Sequence, residues 1–282
     1  MSEGPQPPRP TWFVGCGNMG GAIVEGWRVA GIDLNPITVI RPSGKATDGV
    51  HTVIRFADAG PAPKLIVLAF KPQKLDEIAP QLKSWLTSRT VIISLLAGVE
   101  VASLRQRFPA AGKIIRAMTN LPVAIRRGVT ALYGVDVDEK TRQQVGDLFA
   151  ALGYAIWAAD EARLAAIGSV AGAGPAYVAR FVAALAKAGE KRGLSAETAA
   201  TIALETVFGT AWMAATTGED MASLAKRVAS PNGTTEAGLA VLDHDHVLDE
   251  LIALTIDAAA RRGAEMAEEA KFRSLEEPAR LH

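Results

Sequence analysis

The sequence predicts an α/β protein in which an N-terminal doubly wound sheet is followed by an all-helical C-terminal domain. Three observations carry that reading. Short apolar runs alternate with amphipathic helical patterns through the first half, and after about Asp160 the strand patterns cease. Several runs are apolar on both faces, as in LIVLAF over 65–70 and VIISLL over 91–96, the pattern of parallel strands covered by helices on each side. At 282 residues the chain is long enough for two domains with a sizeable core.

Taken in order, strands are predicted over 11–15, 37–41, 65–70, 91–96, 113–118, 129–133 and 154–157, with helices near 18–30, 73–86, 100–107 and 138–152. The stretch 42–63 has little pattern beyond a further strand over 51–56. Beyond Asp160, Val178, Phe181, Val182 and Leu185 make an apolar stripe at helical spacing. Ser195 is placed to cap the next helix, which carries Ile202, Val207, Phe208 and Trp212, and a last helix is expected over 247–272. Gly172–Pro175 is expected to give close helix approach and a kink. These helices are too apolar for so small a domain to cover, so they are expected to bury their stripes against one another and a second subunit. The expected organisation is a disordered proline-rich tail over 1–10, a nucleotide-binding domain over 11–160 and a helical dimerisation and substrate domain over 161–282.

Lys plus Arg and Asp plus Glu are both 30, so the formal net charge is zero and nothing points to nucleic acid. The single cysteine, Cys16, rules out an intramolecular disulfide and fits a reducing compartment. Residues 1–10 lack the apolar core of a signal peptide, and no stretch reads as long and uninterrupted enough to span a bilayer. A cytoplasmic protein without membrane partners is expected. Asp243-His244-Asp245-His246 superficially resembles a metal site, but adjacent polar residues beyond a helix are read as a solvated end, and no metal is expected.

The most informative segment is TWFVGCGNMGGAIVEGWRVAG over 11–31: a strand, the loop Gly15-Cys16-Gly17-Asn18-Met19-Gly20, then a helix. This is the order of a Rossmann-like dinucleotide-binding turn. Gly15 makes the turn, Gly17 admits a pyrophosphate to the backbone, and Gly20 lets the helix lie against the sheet with its N-terminus on the phosphates. Val14, Gly15, Gly17, Asn18, Met19 and Gly20 are therefore assigned to cofactor binding, with Cys16 as a small filler of the turn. The second strand ends in Arg41-Pro42-Ser43-Gly44-Lys45, without the acid that would receive the ribose 2′-hydroxyl of NAD. Arg41 and Ser43, with Lys45, suit a 2′-phosphate, so NADPH/NADP is expected in preference to NADH.

The remaining motifs are AFKP over 69–72, SLLAGV over 94–99, RAMTNLP over 116–122, GAGPAY over 172–177 and SPNGTTEAG over 230–238. Together with GCGNMG, in this order along nearly the whole chain, they resemble the pyrroline-5-carboxylate reductase family. The resemblance implies NAD(P)H-dependent reduction of the cyclic imine 1-pyrroline-5-carboxylate to L-proline, and a homodimer or a larger ring of dimers. It implies that Ala69, Phe70, Lys71, Pro72, Leu95, Leu96, Ala97 and Asn120 also serve the cofactor. Ser230, Gly233, Thr234 and Thr235 would bind the substrate, the loop's N–H groups taking its carboxylate. Thr235 stands where the family has a threonine near the imine nitrogen, and its hydroxyl would act catalytically there.

The chain departs from the usual family pattern at Leu95-Leu96, Leu121, Lys226-Arg227 and Asn232. These departures keep a different cyclic imine acid open as substrate. A hydroxyacid dehydrogenase of similar shape would need a catalytic lysine in the first interdomain helix, where Arg180 and Lys187 lie in no convincing motif. A non-catalytic NADP-binding sensor would be marked by a degraded substrate loop.

Overall fold

Side chains alternate across a strand, so a strand that is apolar throughout must be covered on both faces. The computed structural model of the chain describes residues 4–276. Strands β1 (Thr11–Val14), β2 (Ile37–Ile40), β3 (His51–Val53), β4 (Leu65–Leu68), β5 (Val91–Ser94), β6 (Lys113–Thr119), β7 (Gly128–Tyr133) and β8 (Gly153–Trp157) form one sheet in the order β3-β2-β1-β4-β5-β6-β7-β8. Phe13, Val39, Val67 and Ile93 face helices α1 (Asn18–Val29) and α4 (Glu139–Ala150), where they pack with Ile23, Trp27, Leu148 and Phe149. The alternate residues Trp12, Ile66, Ile92 and Ile114 face α2 (Leu75–Lys83) and α3 (Val101–Arg107), against Ala79, Leu82 and Leu104.

The sheet is parallel except between β6 and β7, which run antiparallel. An apolar run does not encode strand direction. The link does, because only a short 3-10 turn over Leu121–Ile125 separates the two strands, too little chain for a parallel crossover. The connection between β2 and β3 holds no helix, only a turn closed by Gly44 N–H on the Arg41 carbonyl and a bridge pairing Thr47 with Val50.

Residues 4–10, expected as a disordered tail, are laid against the sheet domain. Pro7 is buried, the Asp33 N–H donates to Gln6 Oε1, Arg9 pairs with Asp33, and Lys64 N–H donates to the Pro10 carbonyl. Prolines have no N–H to satisfy, so the segment docks through the Pro10 carbonyl and the side chains of Gln6 and Arg9.

The helical region comprises α5 (Glu161–Ala171), α6 (Gly174–Glu190), α7 (Ala196–Thr217), α8 (Met221–Val228), α9 (Thr234–Asp243) and α10 (Val247–Glu276). Ser195 caps α7 by accepting from Thr198 N–H, and Pro175 enters α6 directly after the break at Gly172–Ala173. The chain divides into two compact units. The first runs to Ala173 and resumes at Ala259; the second is Gly174–Ala258. The first unit takes in α5 because α5 is bonded to the sheet at both ends. Glu161 pairs with the buried Arg116 of β6 and accepts from Val101 N–H at 2.9 Å, while Asn120 Nδ2 donates to the Ala171 carbonyl.

Taken by itself, the second unit buries few hydrophobic residues: Ala199, Ala203, Ala214 and Leu224. Val178, Phe181 and Leu185 of α6, and Phe208 and Trp212 of α7, are exposed. Against the expectation that no stretch is long and uninterrupted enough to span a bilayer, helices α5 and α6 together, Glu161–Glu190, are long and apolar enough by length and composition alone, with a mean hydropathy of 1.3 over the most apolar part. The interruption at Gly172–Ala173 makes that segment two shorter helices.

Candidate functional site

The register of the sheet brings four loops to one edge. Val14 lies level with Ile40 and with Leu68, and Leu68 lies level with Ser94, so β1, β2, β4 and β5 end together. The strand order reverses beside β1, and at such a switch point the loops leave a crevice for a ligand. Gly15–Gly17, Arg41–Thr47, Ala69–Pro72 and Leu95–Ala97 all emerge there. Apart from Asn120, every cofactor residue expected from the sequence is in or beside these loops.

The glycine loop is built for close approach. Gly15 has a φ of +78°, and a Cβ on it would lie 2.8 Å from the Ala69 carbonyl oxygen, so side chains are excluded by conformation and by space. Gly20 packs its α-carbon toward Ala69, whose Cβ would be 3.1 Å from a Cβ at Gly20. Gly17 differs: nothing lies within 4 Å of where its Cβ would be. It is the N-cap of α1, with no side-chain cap and no acidic residue in the first turn. Open space before uncapped N–H groups is what a pyrophosphate requires. Asn18 and Met19 open the helix at this point.

Beside the loop is a cavity of about 410 Å³ lined by Cys16, Gly17, Asn18, Arg41, Lys45 and Thr47, among others. Arg41 donates to the Lys45 carbonyl, and Lys45 N–H donates to Ser43 Oγ, so the three form one turn. Asp48 and Glu25 also line this cavity, and sequence reading missed them. Glu25 is held by Arg28 in a two-point contact, which holds its carboxyl below the ordinary range. Cys16 is 7% exposed, and burial pushes its thiol pKa up against the opposing pull of Thr47 and Arg41. A thiol kept protonated is a poor nucleophile, so Cys16 serves as packing.

Three of the expected cofactor residues have side chains engaged within the fold. The side chains of Val14 and Leu96 are 3% and 1% exposed and belong to the core, which leaves only their backbone at the edge. Asn120 is 6% exposed, and its carboxamide is committed to the Ala171 carbonyl and to Val129 N–H. It ties β7 to α5. The Leu95-Leu96 departure is thereby explained, since Leu96 is absorbed by the core on the α2–α3 face and Leu95 packs, partly buried, against the core on the α1–α4 face. Lys71 is exposed and Pro72 half-buried at the start of a 3-10 turn.

The loop Ser230–Thr235 lies in the second unit and is described by itself. Gly233 N–H donates to the Ser230 carbonyl at 2.9 Å, and a Cβ on Gly233 would fall 2.3 Å from Ser230 Oγ. Asn232 has a φ of +57°, a conformation that asparagine tolerates better than other side-chain-bearing residues, which accounts for its place in the tight turn. Gly233 is the N-cap of α9. Thr234 and Thr235 occupy the first two helical positions, and no side chain caps the helix. Their N–H groups lack intrahelical partners by geometry and form a place for a small carboxylate. The Lys226-Arg227 departure has a local cause, because Arg227 forms a two-point pair with Glu219.

Comparison with known proteins gives a consistent result. Residues 161–266 match the family model described as pyrroline-5-carboxylate reductase dimerisation, and residues 12–98 match NADP oxidoreductase, coenzyme F420-dependent. The chain is 34% identical to a pyrroline-5-carboxylate reductase of Pseudomonas aeruginosa, covering 91% of this chain and 96% of that one. It is likewise 34% identical to pyrroline-5-carboxylate reductase 2 of Bacillus subtilis, over 94% and 97%. A structure of the Coxiella burnetii enzyme superposes with a TM-score of 0.83 at 33% identity, covering 92% of this chain and 98% of that one. A Plasmodium falciparum pyrroline carboxylate reductase with NADP bound gives 0.82 at 25% identity, with the same coverages.

Proposed function

The chain belongs to the pyrroline-5-carboxylate reductase family, and from that premise we propose that it reduces 1-pyrroline-5-carboxylate to L-proline with NADPH. Two observations carry this reading, each in its own unit: an open glycine cradle at the sheet edge, and a Ser-Pro-Asn-Gly-Thr-Thr turn that departs from the family pattern only at Asn232. The family's cofactor fits the first: the space above Gly17 and the uncapped start of α1 receive the pyrophosphate, and Arg41, Ser43 and Lys45 receive the 2′-phosphate. Bound NADPH supplies a hydride to the imine carbon.

The residues of the second unit supply the rest. N–H groups of Thr234 and Thr235 hold the substrate carboxylate, with Ser230 and Gly233 shaping the turn. Thr235 Oγ1 accepts the N–H of the protonated imine and favours the charged form, which takes hydride more readily. The ring nitrogen's proton comes from solvent. Consumption of NADPH on addition of pyrroline-5-carboxylate, with proline as product, tests the assignment; an enzyme that turns over only another cyclic imine acid would overturn it.

Arg41→Glu is expected to weaken NADPH about tenfold or more while sparing NADH, because a charge-assisted phosphate contact becomes a repulsion. Titration of both cofactors checks this, and equal catalytic efficiency of the unaltered protein with both would refute the preference. The Asp48 carboxylate in the same cavity sets a ceiling on that preference by opposing a phosphate.

The exposed stripes of α6 and α7 belong to the segment that matches the dimerisation model, and their burial requires a second copy. We infer a cytoplasmic homodimer, able to build into a ring of dimers. Light scattering at micromolar concentration is expected to show no monomer, and an active folded monomer would contradict it.

A further inference from the structure

We propose that Glu236 is a positioning residue for the substrate, holding the Ser230–Thr235 turn in its carboxylate-binding shape. This rests on the reading of that turn as the substrate site. A glutamate in the first turn of α9 is at first sight misplaced beside a site for an anion. Its carboxylate, however, is engaged: Oε2 accepts from Asn232 N–H at 2.6 Å. Glu236 stands three residues after the N-cap Gly233, the spacing from which a glutamate reaches back to the chain before its own helix.

That bond acts on the least favourable residue of the turn. Asn232 is in the left-handed region, and the adjacent Gly233 is pressed onto Ser230. Two bonds therefore define the loop, Gly233 N–H to the Ser230 carbonyl and Asn232 N–H to Glu236. They also divide the N–H groups. Those of Asn232 and Gly233 are spent inside the turn, and those of Thr234 and Thr235 remain for the substrate. With Glu236 removed, Asn232 N–H becomes a competing donor, and the turn loses the contact that selects one conformation.

The test compares Glu236→Ala with Glu236→Gln in the full-length enzyme. The alanine variant is expected to raise the KM for pyrroline-5-carboxylate about tenfold with kcat and NADPH affinity little changed, since charge-assisted hydrogen bonds are worth this much. Glutamine offers an amide oxygen to the same N–H and is expected to restore KM to within about threefold. Amide exchange at Asn232, followed without substrate, should accelerate in the alanine variant and stay slow in the glutamine variant. A lower melting temperature with unchanged KM would reduce Glu236 to a helix cap and overturn the proposal. So would a glutamine variant as impaired as alanine while Asn232 stays protected. An unaltered enzyme inactive on pyrroline-5-carboxylate, with Asn232 protected, would refute the substrate reading itself and the proposal with it.

Discussion

Thr235→Ala is expected to lower turnover of pyrroline-5-carboxylate by about 30- to 1000-fold while leaving NADPH affinity unchanged. The range corresponds to one hydrogen bond that strengthens as the transition state forms, worth about 2–4 kcal/mol. The placement explains why the loss should fall on kcat. Thr235 is the second residue of α9, half-buried, and its hydroxyl makes no cap because Gly233 occupies the cap position. Deleting it therefore takes away no structural contact that defines the helix start. Thr235→Ser should recover much of the rate, since only a methyl group is lost. Steady-state kinetics on both variants, with cofactor affinity measured separately, check the claim. Normal kinetics for the alanine variant would show that the threonine merely begins a helix.

What could be read from the sequence divides along the distance over which each residue acts. The glycine loop was legible because its strand, turn and helix are contiguous, and the apolar strands declared a covered sheet by their lack of alternation. Other features depend on partners far away in the chain. Gly15 answers to Ala69 as much as to its own turn. Gly26 is just as constrained, since a Cβ there would lie 2.2 Å from the Val123 carbonyl oxygen, yet it reads as an ordinary helical residue. Motif membership also says nothing of which way a side chain points. Leu96 and Asn120 stand in motifs expected to serve the cofactor, but the core and the β7–α5 junction claim their side chains. The Glu236 contact was within reach of sequence reasoning. Its signal is the three-residue spacing from Gly233.

The largest stability effect is expected at a contact no local pattern reveals. Glu161 begins α5, where it reads as a favourable acid at a helix start, and Arg116 lies 45 residues earlier in β6. Arg116 is 8% exposed, and Glu161 satisfies both this guanidinium and the Val101 N–H at the start of α3. Glu161→Ala would leave a buried cation unpaired and a backbone donor unsatisfied at once. Breaking such a pair from one side costs about 3–5 kcal/mol. The glutamine variant has a single acceptor oxygen, so it keeps only one of the two hydrogen bonds and loses the charge, and it is expected to fall between the unaltered protein and Glu161→Ala. Replacing both partners together, as Arg116→Met with Glu161→Gln, should cost less than Glu161→Ala alone, because no charge then remains buried. Urea unfolding at fixed protein concentration measures all three. A Glu161→Ala protein with an unchanged midpoint would mean that water reaches Arg116 and that α5 is held to the sheet by Leu164 and its neighbours alone.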